Sequence, residues 1–196
     1  MHGAAVRAVE AGAQHGPLLV DLFRRAEVPC HCRYWHFPGG TNPWLDRCAH
    51  EADVNRSEFL AALAEGNGEA SGVVALDGEL AVGWLKLAPA TAVHKLYAQR
   101  LYRGLPCFRG ARDGVFTVGC MLVDPRVRRT GIARALLDRA VEIARSRGGT
   151  AIEAFPRRAE GISDAEALMG PFCVFVEKGF EIVHDFAPYP VVRLAL

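Results

Sequence analysis

The sequence predicts an α/β fold, in which a central sheet is flanked by helices. Two observations support this class. A strand–turn–helix unit occupies residues 118–147, where an apolar strand leads through a basic turn into a long amphipathic helix. A hairpin is predicted around Asp77-Gly78, because this dipeptide separates two apolar runs and favours the two-residue turns that join antiparallel strands. Strands and helices that alternate in this way pack as layers around one core.

The N-terminal half is predicted to hold three strands and two helices. The first strand is inferred from alternating apolar and polar residues, and the first helix from Leu18, Leu19, Leu22 and Phe23 at helical spacing. Asn55 or Ser57 is expected to cap the second helix. The elements predicted in this half are a strand at 4–10, helices at 16–26 and 55–65, and strands at 71–77 and 79–87.

In the C-terminal half, glycine and proline set the boundaries of the elements. Gly148 and Gly149 are expected to end the long helix, and Gly104 an earlier one. Pro171 can open a short helix that Gly179 closes. The elements predicted in this half are helices at 92–102, 131–147 and 171–178, and strands at 115–123, 150–155, 180–186 and 191–195.

Length and composition favour a single domain over residues 1–196, with an irregular insertion rich in aromatic residues and cysteine at about 29–48. The net charge of +1 argues against a general nucleic-acid or membrane-surface binder. No apolar run reaches the roughly 20 residues that span a bilayer. The first residues lack the pattern of a signal peptide, so a cytoplasmic location is expected.

The basic turn of the strand–turn–helix unit has the features of a phosphate-binding site. Backbone N–H groups at a helix N-terminus lack intrahelical partners and carry partial positive charge. Gly131 allows close backbone approach, and Ala133 keeps this face small. Arg128, Arg129 and Arg134 can donate charge-assisted hydrogen bonds to phosphate oxygens. Neither G-x-x-x-x-G-K-[ST] nor G-x-G-x-x-G occurs, which argues against ATP and dinucleotide loops.

The string Arg128-x-x-Gly131-x-Ala133, after an apolar strand and Asp-Pro, resembles the [Q/R]-x-x-G-x-[G/A] signature of the GNAT superfamily of N-acetyltransferases. The order of elements resembles that family along nearly the whole chain, and Gly179-Phe180 is similar to its C-terminal motif. The resemblance implies a mixed, mostly antiparallel central sheet with two splayed central parallel strands and helices on both faces. It also implies acetyl-CoA as co-substrate, no metal, and direct acetyl transfer to the amine of a small molecule.

The resemblance further implies that the pantetheine arm of acetyl-CoA enters between the strands at 116–123 and 150–155. The residues expected to contact it are Met121, Leu122, Val123, Arg128, Arg129, Thr130, Gly131, Ile132, Ala133, Arg134 and Phe175. Many family members carry a tyrosine at the position of Phe175, where it protonates the leaving thiolate. The general acid is therefore open here, with Tyr189 and Cys173 as weak substitutes.

Glu153 is the candidate catalytic base. It lies in a strand expected to be covered on both faces, where a carboxylate is costly unless it faces a cleft or a partner. Facing the cleft, it would have a pKa raised by burial. Paired with an arginine, it would be a structural residue instead. His184 and Asp164 are weaker candidates.

The acceptor site is expected to have an aromatic wall that includes Trp35, Trp84 and Tyr97. Such walls suit a cationic or aromatic amine, although aromatic residues also fill protein cores. Cys30, Cys32, Cys48 and His50 are metal-ligand types. Their C-x-C spacing differs from that of zinc sites, so no metal is predicted and the cysteines are taken as thiols, while a metal-binding scaffold built on these four residues stays an open alternative.

Two further alternatives stay open from the sequence. Phe175 is compatible with a catalytically idle module that binds acyl-CoA as a sensor, because it lacks the hydroxyl of the usual general acid. The sequence also leaves open whether the chain forms a homodimer.

Overall fold

The computed structural model describes residues 6–161 and 168–196, and within them a seven-stranded sheet lies between helices. The strands are β1 (Arg7–Glu10), β2 (Gly72–Asp77), β3 (Leu80–Pro89), β4 (Val115–Val123), β5 (Ala151–Ala154), β6 (Glu181–His184) and β7 (Val191–Ala195). They are ordered β1-β2-β3-β4-β5-β7-β6. The β4–β5 pair is parallel and the other neighbours are antiparallel. The mixed, mostly antiparallel sheet predicted from the sequence is confirmed.

The helices are α1 (Gly16–Arg25), α2 (Thr41–His50), α3 (Ala52–Glu65), α4 (His94–Tyr97), α5 (Ile132–Ser146) and α6 (Phe172–Glu177). Helix α5 covers one face of the sheet, because apolar residues recur every three or four positions along it. Ile132, Leu136, Ala140 and Ile143 are all buried there. The helix ends at Ser146, and Gly148 two residues later has a left-handed φ of 71° that suits glycine.

Helices α1 and α3 cover the opposite face. Leu19, Leu22 and Phe23 of α1 are completely buried and pack with Phe59 of α3 in one cluster. Trp84 of β3 belongs to the same cluster, with its ring centre 5.7 Å from that of Phe59. Each face of the sheet thus carries its own buried apolar cluster, as a two-sided α/β fold requires.

The parallel strands separate partway along their length. β4 pairs with β5 only from Val115 to Val118, although β4 continues to Val123. The β3–β4 register shifts at the same point, so that Gly119 has no partner on β3. Such a bulge bends a strand and increases its twist. The bulge therefore turns the end of β4 away from β5 and opens a gap between them.

Two predictions for the N-terminal half were wrong: one helix was missed, and another was expected to start later than it does. Residues 41–50 of the irregular insertion form α2, and Pro43 in the first turn is a helix-start signal because no backbone N–H is needed there. Helix α3 starts at Ala52 rather than at Asn55, whose side-chain amide donates to the Pro29 carbonyl at 3.2 Å instead of capping. Residues 4 and 5 of the predicted first strand lie outside the described residues.

The helix predicted at 92–102 was also wrong in extent, because only His94–Tyr97 is α-helical. Leu96 and Tyr102 are both buried in a cluster with Phe155, and a turn bond from the Tyr102 N–H to the Gln99 carbonyl brings the tyrosine ring there. Burial of both side chains stabilises turns in place of a longer helix. Within the described ranges, no helix is both long and apolar enough to span a bilayer.

Candidate functional site

Asp124 anchors the turn between β4 and α5. Its carboxylate is almost fully buried and accepts hydrogen bonds from the Arg126 backbone N–H at 3.0 Å and from the Arg126 guanidinium at 2.8 and 3.0 Å. Arg25 of α1 donates to the same carboxylate at 2.8 Å. These bonds, those of Arg126 above all, hold the pKa of Asp124 well below its usual range. The Asp-Pro motif thus ties the turn to α1.

The N-terminus of α5 is open to a ligand. Gly131 caps it with a φ of 92°, and no atom lies within 4 Å of the position a Cβ would occupy there. The first backbone hydrogen bond of the helix runs from the Ala135 N–H to the Gly131 carbonyl at 3.1 Å. The N–H groups of residues 132–134 therefore precede the helical bonding pattern and can meet an anion.

A cavity of about 760 Å³ runs from this helix start along the open edge of β4 to α6. Most residues predicted to contact the phosphate-bearing ligand line it: Met121, Leu122, Val123, Arg128, Arg129, Gly131, Ile132, Ala133 and Arg134. Thr130 does not, and its hydroxyl donates to the Val127 carbonyl at 2.7 Å on the exposed side of the turn. A phosphate chain followed by an extended arm fits a cavity of this shape and charge.

The free edge of β4 supplies backbone donors to the cavity. The Met121 N–H points toward the β5 side and donates to the Leu168 carbonyl at 2.7 Å. Because N–H groups alternate in direction along a strand, the Val123 N–H faces the same side. The Val123 carbonyl accepts a bond from Arg128 Nε at 3.3 Å. The strand end and the basic turn are therefore held together at the cavity.

The opposite wall was missed by the sequence reasoning. Arg157, Arg158 and Glu160 line it, together with Phe172 and Cys173 from the start of α6. The Arg158 guanidinium lies 5.4 Å from the centre of the Phe172 ring. An Arg-Arg pair directly after the strand-breaking Pro156 is the local signal that could have indicated it.

Phe175, which was expected to contact the pantetheine arm, does not line the cavity. It is completely buried, with its ring centre 5.2 Å from that of Phe180, and it contacts Gly170 closely. Helix α6 turns Phe172 and Cys173 to the cavity instead. The apolar ring gains more from the core than from the open cleft, so it packs inward.

Glu153 does not line the cavity. Its buried carboxylate accepts bonds from Arg112 at 3.0 Å, Arg193 at 3.0 Å and the Tyr97 hydroxyl at 2.6 Å. Burial acts to raise the pKa of Glu153, but the hydrogen bonds from Arg112, Tyr97 and Arg193 outweigh it, and the pKa is lowered. The condition for a raised pKa, a carboxylate that faces the cleft, is therefore not met, and the structure shows the alternative that the sequence left open, a carboxylate paired with arginine.

The three aromatic residues predicted for the acceptor wall have partners within the chain. Trp84 is completely buried, and its Nε1 donates to Cys32 Sγ at 3.1 Å. The Tyr97 hydroxyl lies 2.6 Å from Thr117 Oγ1 and donates to Glu153, and its pKa is raised by burial and by that carboxylate. Trp35 Nε1 donates to the Gly119 carbonyl at 2.7 Å. Trp84 and Tyr97 are therefore core residues, while Trp35 contacts the bulge of β4.

The remaining candidates do not converge. Cys48 accepts a bond from Asn55, and His50 lies 3.8 Å from Asp46 on the surface of α2. Among the residues that the structure describes, no group of three or more histidines, cysteines or acidic residues is arranged to hold a metal. His184 stacks on Phe186 beside the sheet edge. Asp164 lies outside the described residues.

The sequence profile of the Acetyltransferase (GNAT) family matches residues 31–161, which is most of the chain. The protein therefore belongs to the GNAT acetyltransferase family. No curated protein sequence matches it.

Solved structures share the fold. The aminoglycoside acetyltransferase AAC(6')-Ib in complex with coenzyme A has a TM-score of 0.60 at 13% identity, over 97% of this chain and 95% of that one. The PaiA N-acetyltransferase of Thermoplasma acidophilum, also with coenzyme A, has 0.57 at 9%, over 98% and 100%. The yncA protein of Salmonella typhimurium with acetyl-CoA has 0.56 at 15%, over 98% and 95%.

Proposed function

We propose that the protein is an acetyl-CoA-dependent N-acetyltransferase, which moves an acetyl group to the amine of a small molecule within a ternary complex. The observation that carries the proposal is the cavity of about 760 Å³, which joins the open N-terminus of α5 to the free edge of β4. The complexes of fold relatives with coenzyme A or acetyl-CoA support the choice of donor.

The residues of the turn would hold the pyrophosphate. The N–H groups of residues 132–134 and the side chains of Arg128 and Arg129 supply positive charge at this end of the cavity. Gly131 leaves the backbone accessible because nothing occupies the space of a Cβ. The bound acetyl-CoA would supply the acetyl group as an activated thioester.

The backbone of β4 would act at the other end. The Val123 N–H faces the gap and is suited to donate to a carbonyl oxygen as negative charge develops on it. Glu153 is not suited to take the proton of the amine, because its carboxylate is held by Arg112 and Arg193. Among the described residues that line the cavity, Glu160 is the one that carries a carboxylate. We therefore assign the proton of the amine to Glu160 or to water.

The test is a mass-spectrometric assay for acetylated product, with the purified protein, acetyl-CoA and a panel of polyamines, aromatic amines, amino acids and aminoglycosides. Product detection is preferable to thiol titration, because the exposed Cys173 lines the cavity and would react with the thiol reagent. We expect at least one amine to give an N-acetyl product. Hydrolysis of acetyl-CoA without any acetylated amine would contradict the proposal.

Phe175 favours a second candidate function, an acyl-CoA sensor without turnover. The residue has no hydroxyl to protonate a thiolate and is buried in the core. In addition, the Met121 N–H is already bonded to the Leu168 carbonyl, so this donor of β4 is in use before acetyl-CoA binds. Micromolar or tighter binding of acetyl-CoA, with no product from any amine, would support the sensor over the enzyme.

A further inference from the structure

Gly119 marks the point at which β4 leaves β5. Val118 is the last residue of β4 that pairs with β5, opposite Ala154. Gly119 follows it directly and is skipped in the pairing with β3. A bulged residue loses its place in the ladder, and a buried carbonyl that is left there needs another donor. The opening of the gap therefore depends on how this residue is held.

Trp35 supplies that donor. Its indole Nε1 donates to the Gly119 carbonyl at 2.7 Å, across 84 residues of sequence. The ring also lies against the glycine, since a Cβ added at Gly119 would stand 3.4 Å from Trp35 Cδ1 and Nε1. The indole thus fixes both the carbonyl direction and the space around the bulge.

Lys86 holds the bulge from β3. Its Cδ would lie 3.0 Å from a Cβ at Gly119, so only glycine fits without movement of the lysine. The Lys86 side chain is completely buried, and its Nζ donates to the Glu69 carbonyl. The lysine is therefore a fixed support rather than a mobile chain, and Gly119 sits between it and Trp35.

The bulge sets the direction of the strand beyond it. Met121 and Val123 follow Gly119 at alternate positions, and their N–H groups face the gap. A one-residue change in register would turn these donors to the other side of the strand. The bond from Trp35 therefore stabilises the register that aims the Val123 N–H into the cavity.

We propose that Trp35 is a positioning residue for acetyl transfer: it fixes the Gly119 bulge and so aims the Val123 N–H at the thioester. The inference rests on the proposed function of the same cavity. It differs from a role in the acceptor wall, because a wall residue changes acceptor binding, whereas a positioning residue changes the chemical step. Trp35 bonds to β4 at Gly119, whereas the turn that would hold the pyrophosphate precedes α5 at Gly131.

Trp35→Phe tests the proposal, because it keeps an aromatic ring but removes the donor to Gly119. Trp44→Phe is the matched control: Trp44 is buried in α2, where it packs on Tyr34 and Phe37. We expect kcat to fall at least about tenfold in Trp35→Phe, as expected for a misdirected donor, with the KM for acetyl-CoA changed less than about twofold. The control should keep kcat within about twofold of the wild type.

Backbone amide NMR spectra provide the second readout. We expect Trp35→Phe to shift the amide resonances of Met121 and Val123, while Trp44→Phe leaves them in place. Gly119→Ala, which crowds Lys86 and Trp35, should shift the same resonances and serves if Trp35→Phe does not fold. Unmoved resonances would overturn the proposal, as would an unchanged kcat or a rise confined to the acceptor KM.

The two hypotheses fail in different ways. If the wild type acetylates no amine, the proposed function falls, and the amide resonances alone decide whether Trp35 holds the bulge. If the wild type is active and Trp35→Phe matches it in kcat, the proposed function stands and the positioning role is refuted.

Discussion

The two halves of the β4–β5 pair differ in how their polar groups are satisfied. In the paired half, Thr117 and Glu153 are completely buried and bonded to Tyr97, with Arg112 and Arg193 completing the network. In the split half, beyond Gly119, the backbone of β4 borders a cavity of about 760 Å³. The same two strands thus provide a closed ionic core and an open cleft.

The comparison teaches that a buried carboxylate in a central strand does not by itself mark a catalytic site. Glu153 is a buried carboxylate in a central strand but has neither an open face nor a raised pKa, because two guanidinium groups already hold its oxygens. Perturbed pKa values arise in structural ion pairs as well as in active sites. Only the split half leaves polar groups for a ligand.

The largest effect should come from the paired half. Glu153→Gln removes the charge that pairs with Arg112 and Arg193, and we expect the unfolding free energy to fall by about 3 kcal/mol, because two partly buried guanidinium groups lose their shared counter-charge. Urea denaturation measures this. Glu177→Gln removes the exposed partner of Arg134 and should have no measurable effect. Unchanged stability of Glu153→Gln, together with a lost acidic limb in the pH profile of turnover, would restore Glu153 as the base.

The split half should respond in ligand affinity instead. Gly131→Glu places a negative charge where the pyrophosphate is expected, and we expect the Kd for acetyl-CoA to rise about 100-fold, or about 2.8 kcal/mol. Gly148→Glu is matched, since Gly148 at the other end of α5 also has positive φ and open space. Calorimetry should show wild-type affinity for this control. Equal affinities of the two variants would contradict a donor site at the α5 N-terminus.

A smaller effect concerns Asp124, which follows the split half of β4, and it depends on pH. The folded-state pKa of Asp124 is lowered by Arg126 and Arg25, below an unfolded value of about 3.9. Its contribution to stability is therefore complete above that pH and is lost as pH falls through the folded pKa. We expect Asp124→Asn to cost about 2 kcal/mol at pH 7. The difference from the wild type should shrink below about pH 4, and a difference that is constant down to pH 2 would refute the ion pair.

Local signals in the sequence were enough for the fold and for the basic turn. The strand before Asp124, the glycine at 131 and the apolar periodicity of α5 each depend on neighbours within a few residues. The hairpin at Asp77-Gly78 is equally local. These elements were predicted within one or two residues of their observed bounds.

Long-range partners could not be predicted. Arg112 lies 41 residues from Glu153 in sequence, and Arg193 lies 40 residues away. The partners of Trp84 and Trp35 are 52 and 84 residues distant. Whether a polar group faces a ligand or another side chain is decided by such tertiary contacts. Candidate residues of the right type were therefore identified, but the sequence could not show that Glu153, Trp84 and Phe175 are buried among other side chains rather than exposed in the cleft.

A crystal structure of the protein with acetyl-CoA tests the central claim most directly. The account predicts the pyrophosphate within hydrogen-bond distance of the N–H groups of residues 132–134, and the thioester carbonyl at the Val123 N–H in the gap between β4 and β5. Acetyl-CoA bound elsewhere, or a gap that stays closed while the ligand is bound, would contradict it.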